Sequence, residues 1–184
     1  ISGGRAGWNI VTSAGADEAA NFGLDGIPLH AARYERATEF LEAALALWDS
    51  WEDDAHALDQ KGGLFFHPEK LHMLHHKGKH FSVRGPLMVP RSPQGQPVIF
   101  QAGASEHGKN FVAARSDAIF VQNDDLAGAR AYYADVKRRA AGFGRDPDAL
   151  FVLPGLRPVI GSTEAEAERK YQEFIALTSI EDAL

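Results

Sequence analysis

The sequence predicts an α/β fold: a parallel sheet with helices packed on its outside. Three observations carry this expectation. Short apolar, β-branched runs recur as strand candidates. Most of them lead into a segment with apolar residues at three- and four-residue spacing, the mark of an amphipathic helix. Four such strand–helix units are visible, and βα units in succession build parallel strands. Eight units would close a barrel and five or six would make an open doubly wound sheet; periodicity leaves both open.

The elements follow in order. Gly7 to Ser13, GWNIVTS, is rich in β-branched and aromatic residues and reads as the first strand. Ala14 to Leu29, with its glycines and Pro28, reads as a loop. Ala37, Phe40, Leu41, Ala44, Leu45 and Trp48 then line one face of the clearest helix. From Ser50 to Pro93 the pattern dissolves into a histidine-rich stretch too long for an ordinary connection, whose aromatics predict an ordered excursion over a binding face. Alternation resumes with a strand over 97–102, a helix over 106–115, a strand over 118–122 and a helix over 125–142. Phe143 to Pro147 is a turn, and Leu150 to Ile160 reads as a further strand around Pro154-Gly155. Ser162 to Glu166 has the form of a helix N-cap followed by first-turn acids.

Composition narrows the function. The 184 residues suffice for one domain with a real core, 45% of them are apolar, and the formal charge is −6. The basic residues form no stripe, which argues against a nucleic-acid partner. No apolar run approaches the length of a membrane span and no signal-peptide pattern precedes the first strand, so no membrane partner and a cytoplasmic location are expected. The chain opens without Met on a turn, as the middle of something longer would. It has no cysteine, which removes disulfides, thiolate nucleophiles, Cys-ligated zinc and iron–sulfur clusters. Redox chemistry would have to come from a bound organic cofactor or a His/carboxylate metal site.

The richest candidate site is the exit of the strand in PVIFQAGASEHG, Pro97 to Gly108. Gly103 and Ala104 let a ligand approach bare backbone, and Ser105 adds a hydroxyl to the free N–H groups of a helix start, which makes a phosphate cradle. Serine is also a favoured N-cap anywhere, and Glu106 would repel a phosphate unless it turned away. His30 and Tyr34, one helical turn apart at the front of the long helix, would meet Ser105 on one rim if the strands are parallel. The competing reading makes His30 a cap and Tyr34 an edge-packing residue. Asn9 is polar in an apolar strand and could reach a cofactor ring or satisfy a neighbouring group. Glu69, His72, His75, His76 and His80 have ligand-like spacing, but Pro68, Gly78 and the lack of HExxH favour a solvated His-rich loop and no metal site. G-x-S-x-G, Walker A and G-x-G-x-x-G elements do not occur.

Several motifs, in order, carry a family resemblance: Ser2-Gly3-Gly4-Arg5-Ala6-Gly7-Trp8-Asn9-Ile10-Val11-Thr12-Ser13, Asn21-Phe22-Gly23, His30-x-x-Arg33-Tyr34, Leu47-Trp48-Asp49-Ser50-Trp51, Phe81-Ser82-Val83-Arg84-Gly85-Pro86 and Gln101-Ala102-Gly103-Ala104-Ser105. The chain resembles the bacterial-luciferase-like flavin monooxygenases, in the branch of nitrilotriacetate monooxygenase component A, dibenzothiophene-sulfone monooxygenase and long-chain alkane monooxygenase. The resemblance implies an α/β (β/α)8 TIM barrel, of which residues 1–184 supply a partial domain of roughly strands four to seven. Residues 50–93 would match an insertion after a barrel strand that helps cover the active site.

It further implies that His30, Tyr34 and Ser105 bind FMN, mainly around its phosphate and ribityl chain, where the strand-exit reading adds Asn9, Gly103 and Ala104 as cofactor contacts, and His30 is the candidate for proton handling. The implied reaction is two-component: a separate NAD(P)H:flavin reductase releases FMNH2, which reacts with O2 to a C4a-(hydro)peroxyflavin that oxygenates a small organic substrate. A homodimer or homotetramer is the usual assembly. A deazaflavin-dependent oxidoreductase on the same barrel is an alternative that the motifs from Gly3 to Ser13 oppose. A non-catalytic flavin-binding paralogue is the other.

Overall fold

A computed structural model describes residues 2–123 and 125–177, in two compact units, Ile1–Pro154 and Gly155–Leu184. The first unit is built on four parallel strands. β1 (Gly7–Ile10) is followed by α1 (Ala16–Asn21) and α2 (His30–Trp48). The irregular stretch then carries a two-stranded antiparallel hairpin, β2 (His76–Lys77) and β3 (Ser82–Val83). Next come β4 (Val98–Gln101), α3 (Glu106–Arg115), β5 (Ala118–Val121), α4 (Leu126–Gly142) and β6 (Phe151–Pro154). The sheet order is β1-β4-β5-β6, every pair parallel.

Asp117 ties three of the strands into register. Its carboxylate accepts from Ile99 N–H at 2.8 Å, its own N–H donates to Ile99 C=O at 2.9 Å, and its C=O accepts from Phe151 N–H at 2.8 Å. Strand alternation then sorts the side chains by face. Ile10 and Ile99 turn to the helices and pack with Tyr34, Leu41 and Phe111. Ile119 and Val121 turn the same way and pack with Val112, Tyr132, Val136 and Leu150. The opposite face carries Asn9, Phe100, Phe120, Phe151 and Leu153; Phe151 is 63% exposed and Phe120 45%, so within this segment the helix side alone is a core.

The predicted strands are shorter in fact. The first ends at Ile10 rather than Ser13, because Arg33 on α2 takes the carbonyls of Thr12 and Ser13 and Ser13 adopts φ 42°. The strand expected over 150–160 stops at Pro154, which cannot donate to a ladder beyond it. The expected loop over 14–29 contains α1: Glu18 accepts from the N–H groups of Ala14 and Gly15 and caps its own helix.

The segment 50–93 is ordered, and it follows α2 rather than a strand. Its roots are at the C-terminal end of α2. Arg91 donates to Trp48 C=O at 2.9 Å and to Asp49 at 2.5 Å, and Trp51 Nε1 donates to Leu87 C=O at 2.7 Å. Gln94 exchanges two 2.8 Å hydrogen bonds with the backbone of Ala6, just before β1. These contacts put its base at the rim opposite the strand C-termini, so the insertion expected after a strand is one that follows a helix. Of the four clustered histidines, three lie beside separate carboxylates: His72 by Glu52, His76 by Glu39 and His80 by Glu35. His72 is exposed as a solvated loop requires, but His76 and His80 are half-buried against α2.

Glu39 is the main clasp between α2 and the hairpin. It accepts from the N–H groups of His80 and Phe81 at 2.9 and 2.7 Å and lies 3.1 Å from His76 Nε2. Desolvation pushes its carboxyl up, but the His80 N–H, the His76 ring and the Phe81 N–H outweigh it and bring the pKa from 4.5 to about 2. In the second unit, α5 (Glu164–Ala176) starts as predicted, with Thr163 accepting from Glu166 N–H and Glu166 accepting from Ser162 N–H.

Two expectations follow from these contacts. Ile119→Ala, at a fully buried site between sheet and helices, should cost about 2–5 kcal/mol by denaturant unfolding. The clasp at Glu39 is fully present above the ordinary carboxylate range and is lost as pH falls from about 4.5 through about 2. Protection of the amides of residues 76–83, measured relative to their intrinsic exchange rates at each pH, should therefore fall across that window in the natural protein, and be lower already at neutral pH in Glu39→Gln.

Candidate functional site

Parallel strands deliver their C-termini, and the N-termini of the helices that follow, to one rim. His30 is the first residue of α2, and Ser105 is the N-cap of α3. Seventy-five residues apart in sequence, their side chains approach to 3.3 Å between His30 Nε2 and Ser105 Oγ. Ser105 Oγ also accepts from Gly108 N–H at 3.1 Å, as a capping serine should. The backbone N–H groups of Ala104, Ser105, Glu106 and His107 have no acceptor among the described residues, and all four residues are exposed. Together they form a cluster of donors at the positive end of a ten-residue helix.

Beneath this rim the site is closely packed. The rings of His30 and Tyr34 lie 4.8 Å apart, and Tyr34 packs edge-on against Phe111. The Tyr34 hydroxyl is buried and accepts from Gln101 Nε2 at 3.2 Å. A Cβ on Gly103 would stand 2.6 Å from Gln101 Oε1 and 3.1 Å from Gly108 Cα, so only glycine lets the strand exit approach α3. Tyr132, from α4, donates its hydroxyl to Gly103 C=O at 2.9 Å.

Glu106, which would oppose an anion here, is drawn to the side. Arg139 holds it at 2.7 Å and Lys109 at 3.2 Å, and these two cations lower its pKa. Arg139 also holds Asp135, whose carboxyl falls to about 2 against the cost of burial. The carboxylates near the cradle are therefore already paired with side-chain cations, and the unpaired donors are the amides.

The structure thus brings His30, Tyr34, Gly103, Ala104 and Ser105 together. Asn9 stands apart, on the opposite sheet face beside Phe100. Three further residues belong to the site without having been read as such. His107 lies 5.3 Å from the His30 ring and stacks on Tyr34 at 6.2 Å, and its position two residues after a cap was the available signal. Gln101 signalled itself as a polar residue at a buried position of an apolar strand. Tyr132 gave no local signal.

A family model described as luciferase-like monooxygenase matches residues 1–183. The chain is 49% identical over 174 residues to the N-acetyl-S-(2-succino)cysteine monooxygenase of Bacillus subtilis (strain 168), covering 95% of this chain and 40% of that protein. It is 49% identical over 172 residues to nitrilotriacetate monooxygenase component A of Aminobacter aminovorans, covering 94% of this chain and 38% of the relative. The crystal structure of a riboflavin lyase with modified FMN and substrate riboflavin matches with a TM-score of 0.89 and 35% identity, over 99% of this chain and 41% of that one. The chain spans about 40% of the length of the curated relatives it matches. Among the described residues, no helix is long and apolar enough to cross a membrane.

Ser105→Ala removes the cap of α3 and should lower stability by about 1 kcal/mol in chemical denaturation. Ser105→Asp, which caps equally well, should restore that stability while placing a negative charge where the free amides converge.

Proposed function

The chain belongs to the luciferase-like monooxygenase family, and we propose that it is the FMN-phosphate-binding part of a monooxygenase that uses reduced FMN and O2 to oxygenate a small organic substrate. Its four parallel strands are a portion of the family's (β/α)8 barrel, with both units, residues 1–184, in one barrel domain. The observation that carries the reading is the meeting of Ser105 and His30 at 3.3 Å beside four unpartnered amides. That donor set fits a phosphate monoester: a hydroxyl, an imidazole and a helix start, with the neighbouring Glu106 already neutralised by Arg139.

Ser105 and the amides of Ala104 to Glu106 hold the phosphate, with Gly103 keeping side-chain bulk away from it. His30 adds a donor and is the residue proposed to handle a proton. Tyr34, expected from the sequence to contact FMN itself, is buried with its hydroxyl on Gln101, so its assigned part is to pack against the His30 ring and fix its position. Asn9, on the inner face of the sheet, is assigned to the cofactor ring, and the apolar Phe100, Phe120, Phe151 and Leu153 on that face exclude water from the reaction space. Reduced FMN, when bound, supplies the two electrons by which one atom of O2 enters the substrate while the other leaves as water. A separate NAD(P)H-dependent flavin reductase supplies it by diffusion, and the assembly is a homodimer or homotetramer.

Anaerobic titration of the complete protein with FMNH2 tests the site. Ser105→Ala and His30→Ala should each weaken binding by about 1–3 kcal/mol. Unchanged affinity in both variants removes the site assignment. The reaction class is tested with 18O2: one labelled atom should appear in the oxygenated product, and flavin oxidation that returns all the oxygen as peroxide or water overturns it.

A further inference from the structure

One hydrogen bond from outside the cradle controls the direction of an amide inside it. Tyr132 donates to Gly103 C=O at 2.9 Å, and both residues are buried. Among the described residues the cis peptide is Gly85–Pro86, so the Gly103–Ala104 peptide is trans. In a planar trans peptide the C=O and the following N–H point in opposite directions. A carbonyl turned inward to Tyr132 therefore turns the Ala104 N–H outward, on the exposed side where Ser105 sits beside His30.

Glycine would otherwise leave this peptide loose. Gly103 is required by packing, since a Cβ would collide with Gln101 and the backbone of Gly108. The same missing Cβ lowers the resistance to rotating the peptide that follows. Without the Tyr132 hydroxyl, the buried carbonyl would lack an acceptor's partner and would turn toward water, carrying the Ala104 N–H with it.

On the reading that the Ser105 turn takes the FMN phosphate, we propose that Tyr132 is a positioning residue for that phosphate, locking the Gly103–Ala104 peptide so that the Ala104 amide faces the anion. Burial above all, with the nearby Asp135 carboxylate, pushes the Tyr132 phenol up to about 12, so the hydroxyl remains a donor at any physiological pH. The face of its ring is covered too: Lys109 Nζ lies over it, 5.8 Å from the ring centroid, while paired with Glu106 and Asp135. The consequence is selectivity for a phosphorylated flavin, set by a side chain that never touches the ligand.

The test compares reduced FMN with reduced riboflavin, which lacks the phosphate, by anaerobic titration of the complete protein. The natural protein should prefer FMN; no preference would overturn the phosphate reading itself and this inference with it. Tyr132→Phe keeps the ring and removes the hydroxyl. It should weaken FMN binding about 5- to 10-fold and leave riboflavin binding unchanged. A purely structural role for Tyr132 would lower thermal stability but leave the ratio of the two affinities as in the natural protein, and that result overturns the inference alone. If Tyr132→Phe does not fold, Ala104→Pro removes the amide donor with Tyr132 in place. It should show the same loss of preference, and an unaltered preference there overturns the proposal.

Discussion

Everything at the candidate site depends on four strands running the same way. Only a parallel sheet puts the end of β1 and the end of β4 on one rim, and only then do the starts of α2 and α3 meet. His30 and Ser105 are neighbours for that reason, with the whole of α2 and the 50–93 segment between them in sequence. Asp117 is the local guarantor of the arrangement, because its backbone and side chain join β4, β5 and β6 where the strands begin. Displacing β4 by one residue would exchange its faces, sending Gln101 away from Tyr34 and Phe100 into the helix layer.

The sequence was informative where structure is local. Of the face read on α2, Ala37, Leu41, Leu45 and Trp48 do pack toward the sheet, whereas Phe40 is half-exposed between Trp8 and Phe81 and Ala44 lies outside the core cluster; α3 spans the residues its pattern indicated. Ser105 was legible as a cap, and His30 and Tyr34 as one turn of one helix. Boundaries that depend on distant partners were not legible. Nothing around Thr12 and Ser13 announces that Arg33, twenty residues on, takes their carbonyls and ends the strand. Tyr132 looks like any aromatic on an amphipathic helix until α4 is set against the β4 exit. Glu106 illustrates the converse: in sequence it opposes an anion, whereas in the fold Arg139 removes it from the competition.

Charge is distributed with the same economy. Glu39 faces amides and a ring from the hairpin segment, Asp135 faces arginines of its own helix and Lys109 of α3, and Glu106 faces Arg139 of α4 and Lys109 of its own helix; each is held as a carboxylate below its ordinary range. Pairing these acids with protein groups leaves the helix-start amides without a competing internal anion. The cradle is positive because of what its neighbours neutralise as much as because of what it contains.

The excursion between α2 and β4 leaves the sheet and returns to it at nearly one point. Arg91 bonds Trp48 and Asp49, and Gln96 reaches Asp49 at 2.5 Å, so the two ends of the segment are stitched together at its base. Such a loop is a closed appendix on the barrel wall. It can be lengthened, shortened or exchanged for an unrelated sequence by a splice at its stem, while the strands remain where they are. Evolution could therefore rebuild this outer segment wholesale without resetting the meeting of His30 and Ser105 at the far rim.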